Sequence, residues 1–206
     1  MRCVDAEWEM GDLTLYSQTL YSQASFACLW PPIMSNVMPS DFDLLIIDDS
    51  GLLGLVDCAA YNSFVAEDWE YEQLMRHFLS EMVRRSILVW ECGDGGDNYR
   101  IQIRDRISTQ TGWRETLGEI RATGEQLHLA SYTALTMCAQ FHDYHLPEKH
   151  ERSLVVPVSP GLYRVRIVQK YDPAKAENLN DDEPHFLVEL ERGEAPSWSE
   201  VAWHAA

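Results

Sequence analysis

Residues 86–105 read SILVWECGDGGDNYRIQIRD, and the reading of this stretch decides the fold. Its first part is a short apolar run. In its second part Tyr99, Ile101 and Ile103 point one way while Arg100, Gln102 and Arg104 point the other, the period of a half-buried strand. Gly93 to Asn98 can supply the positive φ angles of a tight connection, so the stretch is expected to be a β-hairpin. A loop this rich in Gly and Asp also invites a phosphate or calcium reading. A phosphate loop, however, leads into a helix, and a calcium loop needs further oxygen ligands at fixed spacing; here a basic strand follows.

The same pattern extends in both directions. Upstream, DFDLLIIDDSGLLGLVD (41–57) reads as two apolar strands around a turn at Asp48-Asp49-Ser50-Gly51. Downstream, Leu154, Val156 and Val158 alternate before Ser159-Pro160-Gly161. Tyr163, Val165 and Ile167 form an inward face with Arg164 and Arg166 outward, and Phe186, Val188 and Leu190 alternate with Glu189 and Glu191. These last two strands are expected to pair across the loop Asp172 to Pro184, setting arginines against glutamates. Thr133 to Phe141 alternates as well and is expected to be a strand. One helix is expected from Asp68 to Arg85, capped by Asp68, with Leu74, Met75, Phe78, Leu79, Met82 and Val83 as its apolar stripe. The fold class expected is α+β and β-rich: an antiparallel β-sandwich-like single domain over residues 1–206, with one long covering helix.

The 206 residues carry a formal charge of −17, unevenly spread. Residues 1–83 hold 14 acidic against 2 basic side chains, and residues 84–206 hold 19 against 14. Such a surface repels nucleic acid and anionic membrane and speeds encounter with a basic protein. The acidic residues Asp41, Asp43, Asp48, Asp49, Glu67, Asp68, Glu70 and Glu72 are therefore the candidate partner-binding set. Arg100, Arg104, Arg106, Arg164 and Arg166 could line an anion site, but pairing with nearby glutamates is the simpler reading. No apolar run approaches a membrane span and the N-terminus lacks a secretory pattern, so a cytoplasmic location is expected. The five cysteines are widely spaced with no CxxC pair and are expected to be reduced core thiols. Neither a cofactor nor a metal is expected. The stretch FHDYHLPEKH (141–150) offers the alternative, a metal-dependent hydrolase built on His142, His145 and His150 with Asp143 and Glu148, although Pro147 makes it a loop and the spacing is not that of a helical zinc pair. A β domain that binds an unknown ligand is a third reading.

Thr14 to Gln23 repeats TLYSQ, an offset that puts Tyr16 and Tyr21 on opposite faces of a strand, so Leu13 to Cys28 is expected to be one long or bulged strand. LTLYSQTLYSQASF is similar to the first strand of the competence protein J family, small bacterial inhibitors of a DNA-entry nuclease. SLVVPVSPGLYRVRI, followed by HFLVELE, resembles the closing strands of that family and of bacterial immunity-type proteins. The helix and the FHDYH stretch depart from the pattern. What the resemblance implies is a non-enzymatic inhibitor whose partner is a basic nuclease or toxin.

Overall fold

The computed structural model describes residues 41–48, 50–93, 97–178, 182–196, 198 and 200–204, all within the unit Ser35–Ala206. The expected strand Leu13 to Cys28 lies outside the described residues. In chain order the described elements are β1 (Phe42–Asp48), β2 (Leu52–Val56), α1 (Tyr71–Val83), β3 (Ile87–Glu91), β4 (Asp97–Arg104), β5 (Arg114–Ala122), β6 (Gln126–Ser131), α2 (Tyr132–Gln140), β7 (Val155–Pro157), β8 (Gly161–Gln169) and β9 (Phe186–Arg192). They form a mixed sheet ordered β1-β4-β9-β8-β5 and a smaller sheet ordered β3-β2-β6-β7. The larger sheet is antiparallel except where β4 meets β9. The fold is thus β-rich α+β with two helices.

Residues 86–105 are not a hairpin. β3 pairs with β2, whereas β4 pairs with β1 and β9 in the other sheet. Alternation fixes which face of a strand is buried but not which strand lies beside it. The two strands also differ in environment. β3 is apolar on both faces because both are covered: Leu88 and Trp90 enter one buried cluster, Ile87 and Val89 another. β4 alternates, with Tyr99, Ile101 and Ile103 buried. The turn after β1 likewise carries the chain from one sheet to the other. Gly51 sits there at φ +78°, and a Cβ on it would lie 2.5 Å from the carbonyl oxygen of Gly93, so the two crossings pack backbone to backbone.

One buried cluster draws on both sheets, with Leu53, Leu55 and Trp90 from the smaller and Ile101, Ile103, Val165, Ile167 and Val188 from the larger. The other cluster joins the opposite face of the smaller sheet to Leu74, Phe78 and Met82 of α1 and to Leu135 and Ala139 of α2. Residues 133–141, expected as a strand, are mostly helix α2. Ala134, Leu135, Cys138 and Ala139 are its buried residues, a helical spacing that coexists with the period-two one, and Ala, Leu and Met favour the helix. Ser131 caps it, its Oγ accepting the Ala134 N–H at 3.3 Å. Helix α1 begins later than expected: its N-cap is Glu70, not Asp68, and the Gln73 side chain accepts the Glu70 N–H at 2.9 Å.

β8 and β9 pair as the charge pattern requires, with Arg164 opposite Glu191 and Arg166 opposite Glu189. Glu189 is nevertheless fully buried, at 0% exposure. The segment after β4 folds over it, with Ser108 donating its N–H to Glu189 at 3.2 Å, while Arg166 Nη1 donates at 2.8 Å and Arg104 Nη1 at 3.4 Å.

Candidate partner-binding site

The structure distributes the eight candidate acidic residues unequally. Asp41 and Asp43 are exposed on and before the edge strand β1, within 3.6 Å of Arg104 and 3.8 Å of Arg100. Glu67, Asp68, Glu70 and Glu72 are exposed at the start of α1, and Glu72 pairs with Arg76 at 3.5 Å. Asp49 lies outside the described residues. Asp48 is only 2% exposed and belongs to the fold. Its Oδ2 accepts N–H bonds from Ser50, Gly51 and Leu52 at 3.2, 2.6 and 3.1 Å, and its Oδ1 accepts from Tyr132 at 2.8 Å. Helix α2 is tied at one end to the buried Asp48, which bonds its first residue, and at the other to the segment before α1, where Gln140 donates to the Glu67 carbonyl at 2.9 Å; Asp41 and Asp43 lie at the opposite end of β1 from Asp48.

A cavity of about 430 Å³ opens between the end of β1, the junction of β6 with α2, and the segment before β7. Leu45, Ile47, Ser131, Glu148, His150 and Glu151 are among its lining. Glu151 is 8% exposed. Its Oε1 accepts the Ser131 N–H at 3.1 Å, and its Oε2 has no hydrogen-bond partner among the described residues. Burial pushes its carboxyl above the usual range; the bonds from Ser131 work against this rise, and the charges of Glu148 and Asp48 add to it. Burial also raises Asp48, and its four backbone N–H bonds oppose that. Glu148 accepts a short hydrogen bond from the Tyr144 hydroxyl.

A carboxyl that holds its proton to higher pH when folded makes the folded chain bind more protons than the unfolded one above the ordinary carboxylate range, about pH 4. Stability from this source therefore falls as pH rises through the raised value. Glu151→Gln keeps the acceptor for Ser131 and removes the charge. Its melting temperature is expected to exceed that of the parent at neutral pH, with the gap closing toward pH 4; thermal melts across that range check this, and a gap independent of pH would contradict it.

The histidine stretch is a loop, as Pro147 requires. His142, His145 and His150 are exposed, and His142 packs edge-on against Phe64. Among the described residues no group of three His, Cys, Asp or Glu is placed to hold a metal ion, so the hydrolase alternative is not favoured. The thiols are poor nucleophiles as well. Burial pushes Cys58 and Cys138 up to about 12 and raises Cys92 well above its ordinary value, which keeps all three protonated. Several arginines of the larger sheet face carboxylates: Arg164 faces Glu191, Arg166 faces Glu189 and Glu115, and Arg100 and Arg104 face the aspartates of β1 and its start; Arg114, Arg121 and Arg192 of the same sheet make no ion pair among the described residues. Sequence reasoning missed Glu151 altogether, since nothing local distinguishes it from a surface glutamate in a polar loop. Among the described residues no helix is long and apolar enough to cross a membrane.

Two mixed and antiparallel sheets with helices on the smaller one define the class, and similar folds exist. No protein-family model matches the chain, and no curated protein sequence matches it either. The solved structure of Crocagin biosynthetic gene J is similar, with a TM-score of 0.50 and 14% identity, covering 74% of this chain and 97% of that one. The structure of ComJ from Bacillus subtilis, inhibitor of the DNA degrading activity of NucA, is similar with a TM-score of 0.43 and 8% identity, covering 76% and 99%. The first likeness is one of fold, and the second is too distant to add to it. A member of the family suggested by the strand patterns is thus among the similar structures, at low identity.

Proposed function

We propose that the chain is a non-enzymatic binding protein of the immunity or nuclease-inhibitor type, whose acidic surface steers it onto a basic protein partner. The observation that carries this reading is the placement of charge. Glu67, Asp68 and Glu70 are exposed at the start of α1 and make no ion pair among the described residues, in a chain whose formal charge is −17. Arg100, Arg104, Arg164 and Arg166 of the larger sheet, by contrast, are held in internal pairs. A protein that grips phosphate needs a cationic rim, and an acidic surface can cover that rim with fast association that salt weakens. Among the described residues the thiols Cys58, Cys92 and Cys138 are held protonated by burial and give no support to thiol catalysis. The strand-pattern resemblance to the competence protein J family supports an inhibitor, and a nuclease is accordingly the partner proposed.

The test is capture from the source cell's lysate on immobilised full chain at low salt, with elution by a salt step. The expected result is one basic protein whose activity the chain suppresses. An eluate empty at every salt concentration, or a retained protein whose activity the chain leaves unchanged, would overturn the reading.

A further inference from the structure

We propose that the cavity beside Glu151 is the seat of one cationic side chain, an arginine or lysine, presented by the protein partner. This rests on the binding reading above and names its anchor. The argument starts from an acceptor without a donor. Glu151 is more than nine-tenths buried and lines the cavity; among the described residues one of its oxygens takes the Ser131 N–H and the other takes nothing. Buried polar atoms are nearly always satisfied, and an exception calls for a cause. A guest carrying N–H donors supplies the missing bond, and a charged one makes it charge-assisted.

The chemistry of the walls selects the guest. The charged side chains lining the cavity include the carboxylates Glu148 and Glu151, with Asp48 close enough to act on Glu151, and neither lysine nor arginine is among the lining residues. Two carboxylates against the single imidazole of His150 disfavour a negative guest. A metal ion is disfavoured as well, since no three ligands converge among the described residues. The mouth is apolar on one side, where Leu45 is 65% and Ile47 75% exposed, on adjacent outward positions of β1. Such a rim suits the alkyl stem of a long cationic side chain whose head lies deeper. The volume of about 430 Å³ lies within the range of small-ligand pockets, about 300–1,000 Å³. Among the described residues β1 is also the end strand of its sheet, so an extended partner segment has an edge to lie along while its side chain enters.

The test uses isotope-labelled full chain titrated with butylguanidinium, butylammonium and, as the uncharged control, butanol, followed by amide resonances. Saturable shifts at Ser131 and at residues 148–154 are expected with the cations and not with butanol. A stronger guanidinium response assigns arginine and a stronger ammonium response lysine. Glu151→Gln, which preserves the Ser131 bond, is expected to weaken cation binding at least about tenfold. Glu148→Gln, at the mouth, gives a second reading should Glu151→Gln disturb the fold, and it is expected to weaken binding too. Absent or unsaturable shifts, equal shifts with butanol, or a cation affinity unchanged in the folded variants would overturn the proposal. Because the probes are small molecules, failure here leaves the capture of a basic protein at low salt an independent result, and failure of that capture leaves this one.

Discussion

Reversing Asp43, Glu67, Asp68 and Glu72 together to lysine is expected to slow association with the basic partner about 10- to 1,000-fold at low ionic strength. The four positions are exposed, Asp43 on β1 and Glu67, Asp68 and Glu72 at and before the start of α1. They contribute little to stability, because the exposed pairs Glu72–Arg76 and Asp43–Arg100 are long, at 3.5 and 3.8 Å, and surface pairs of this kind are worth about 0–1 kcal/mol. Asp48 is left intact because its carboxylate holds the turn between the sheets. The loss should fall on the association rate, with dissociation changed much less, since rim charges steer more than they hold. It should also shrink as salt rises, because screening shortens to about 3 Å at 1 M. Rapid-mixing kinetics over a salt series check this, and an association rate indifferent to the four reversals would remove steering from the mechanism.

Glu189→Ala is expected to cost about 3–5 kcal/mol, the range for removing one partner of a buried ion pair. Glu189 lies where several segments meet: β9, which carries it; β8 through Arg166; β4 through Arg104; and the segment after β4 through Ser108. Removal leaves the Arg166 guanidinium, itself buried, without its buried carboxylate. The Ser108 N–H loses its acceptor too. For a chain of this size the melting temperature should fall by about 6–20 °C. Replacing both members, Arg166→Met with Glu189→Leu, should recover much of the loss, because the cost comes from stranding a charge and not from lacking the pair. Calorimetry of the two variants against the parent reads this directly. A double variant as unstable as Glu189→Ala would place the cost in packing instead.

The faces of the strands were legible because alternation records burial. Tyr163, Val165 and Ile167, and Phe186, Val188 and Leu190, are buried as their spacing requires, and the charge match across β8 and β9 appears in the register. Partnership was less legible. Nothing in 86–105 distinguishes a Gly-rich turn that closes a hairpin from one that crosses between sheets, and only the double burial of β3 against the single burial of β4 hints at the difference. Residues 133–141 support both periods at once, and the outcome depended on Ser131 as a cap and on the apolar face of the smaller sheet that the helix covers.

The candidate site was less legible still. Asp48 reads as one of four clustered acids, yet four backbone N–H groups converge on it because β1 ends against the start of α2. Glu151 reads as one more charge in the polar stretch after the histidines, and its burial arises from segments more than a hundred residues apart, Leu45–Ile47 and 148–154. Glu67, Asp68, Glu70 and Glu72 are exposed at and before the start of α1, where acidic residues suit a helix N-terminus whatever their later use. If Glu151→Gln proves more stable at neutral pH and a weaker cation binder, stability and binding are in tension at that residue, as is common where a site stores an unsatisfied group.

The most direct measurement is the activity of the salt-eluted basic partner on DNA as the full chain is titrated in at low salt. The result expected is stoichiometric loss of DNA degradation, restored by raising salt and delayed to higher concentration by the fourfold charge reversal. Degradation that continues undiminished with the chain in excess, while the two proteins remain bound, would contradict inhibition.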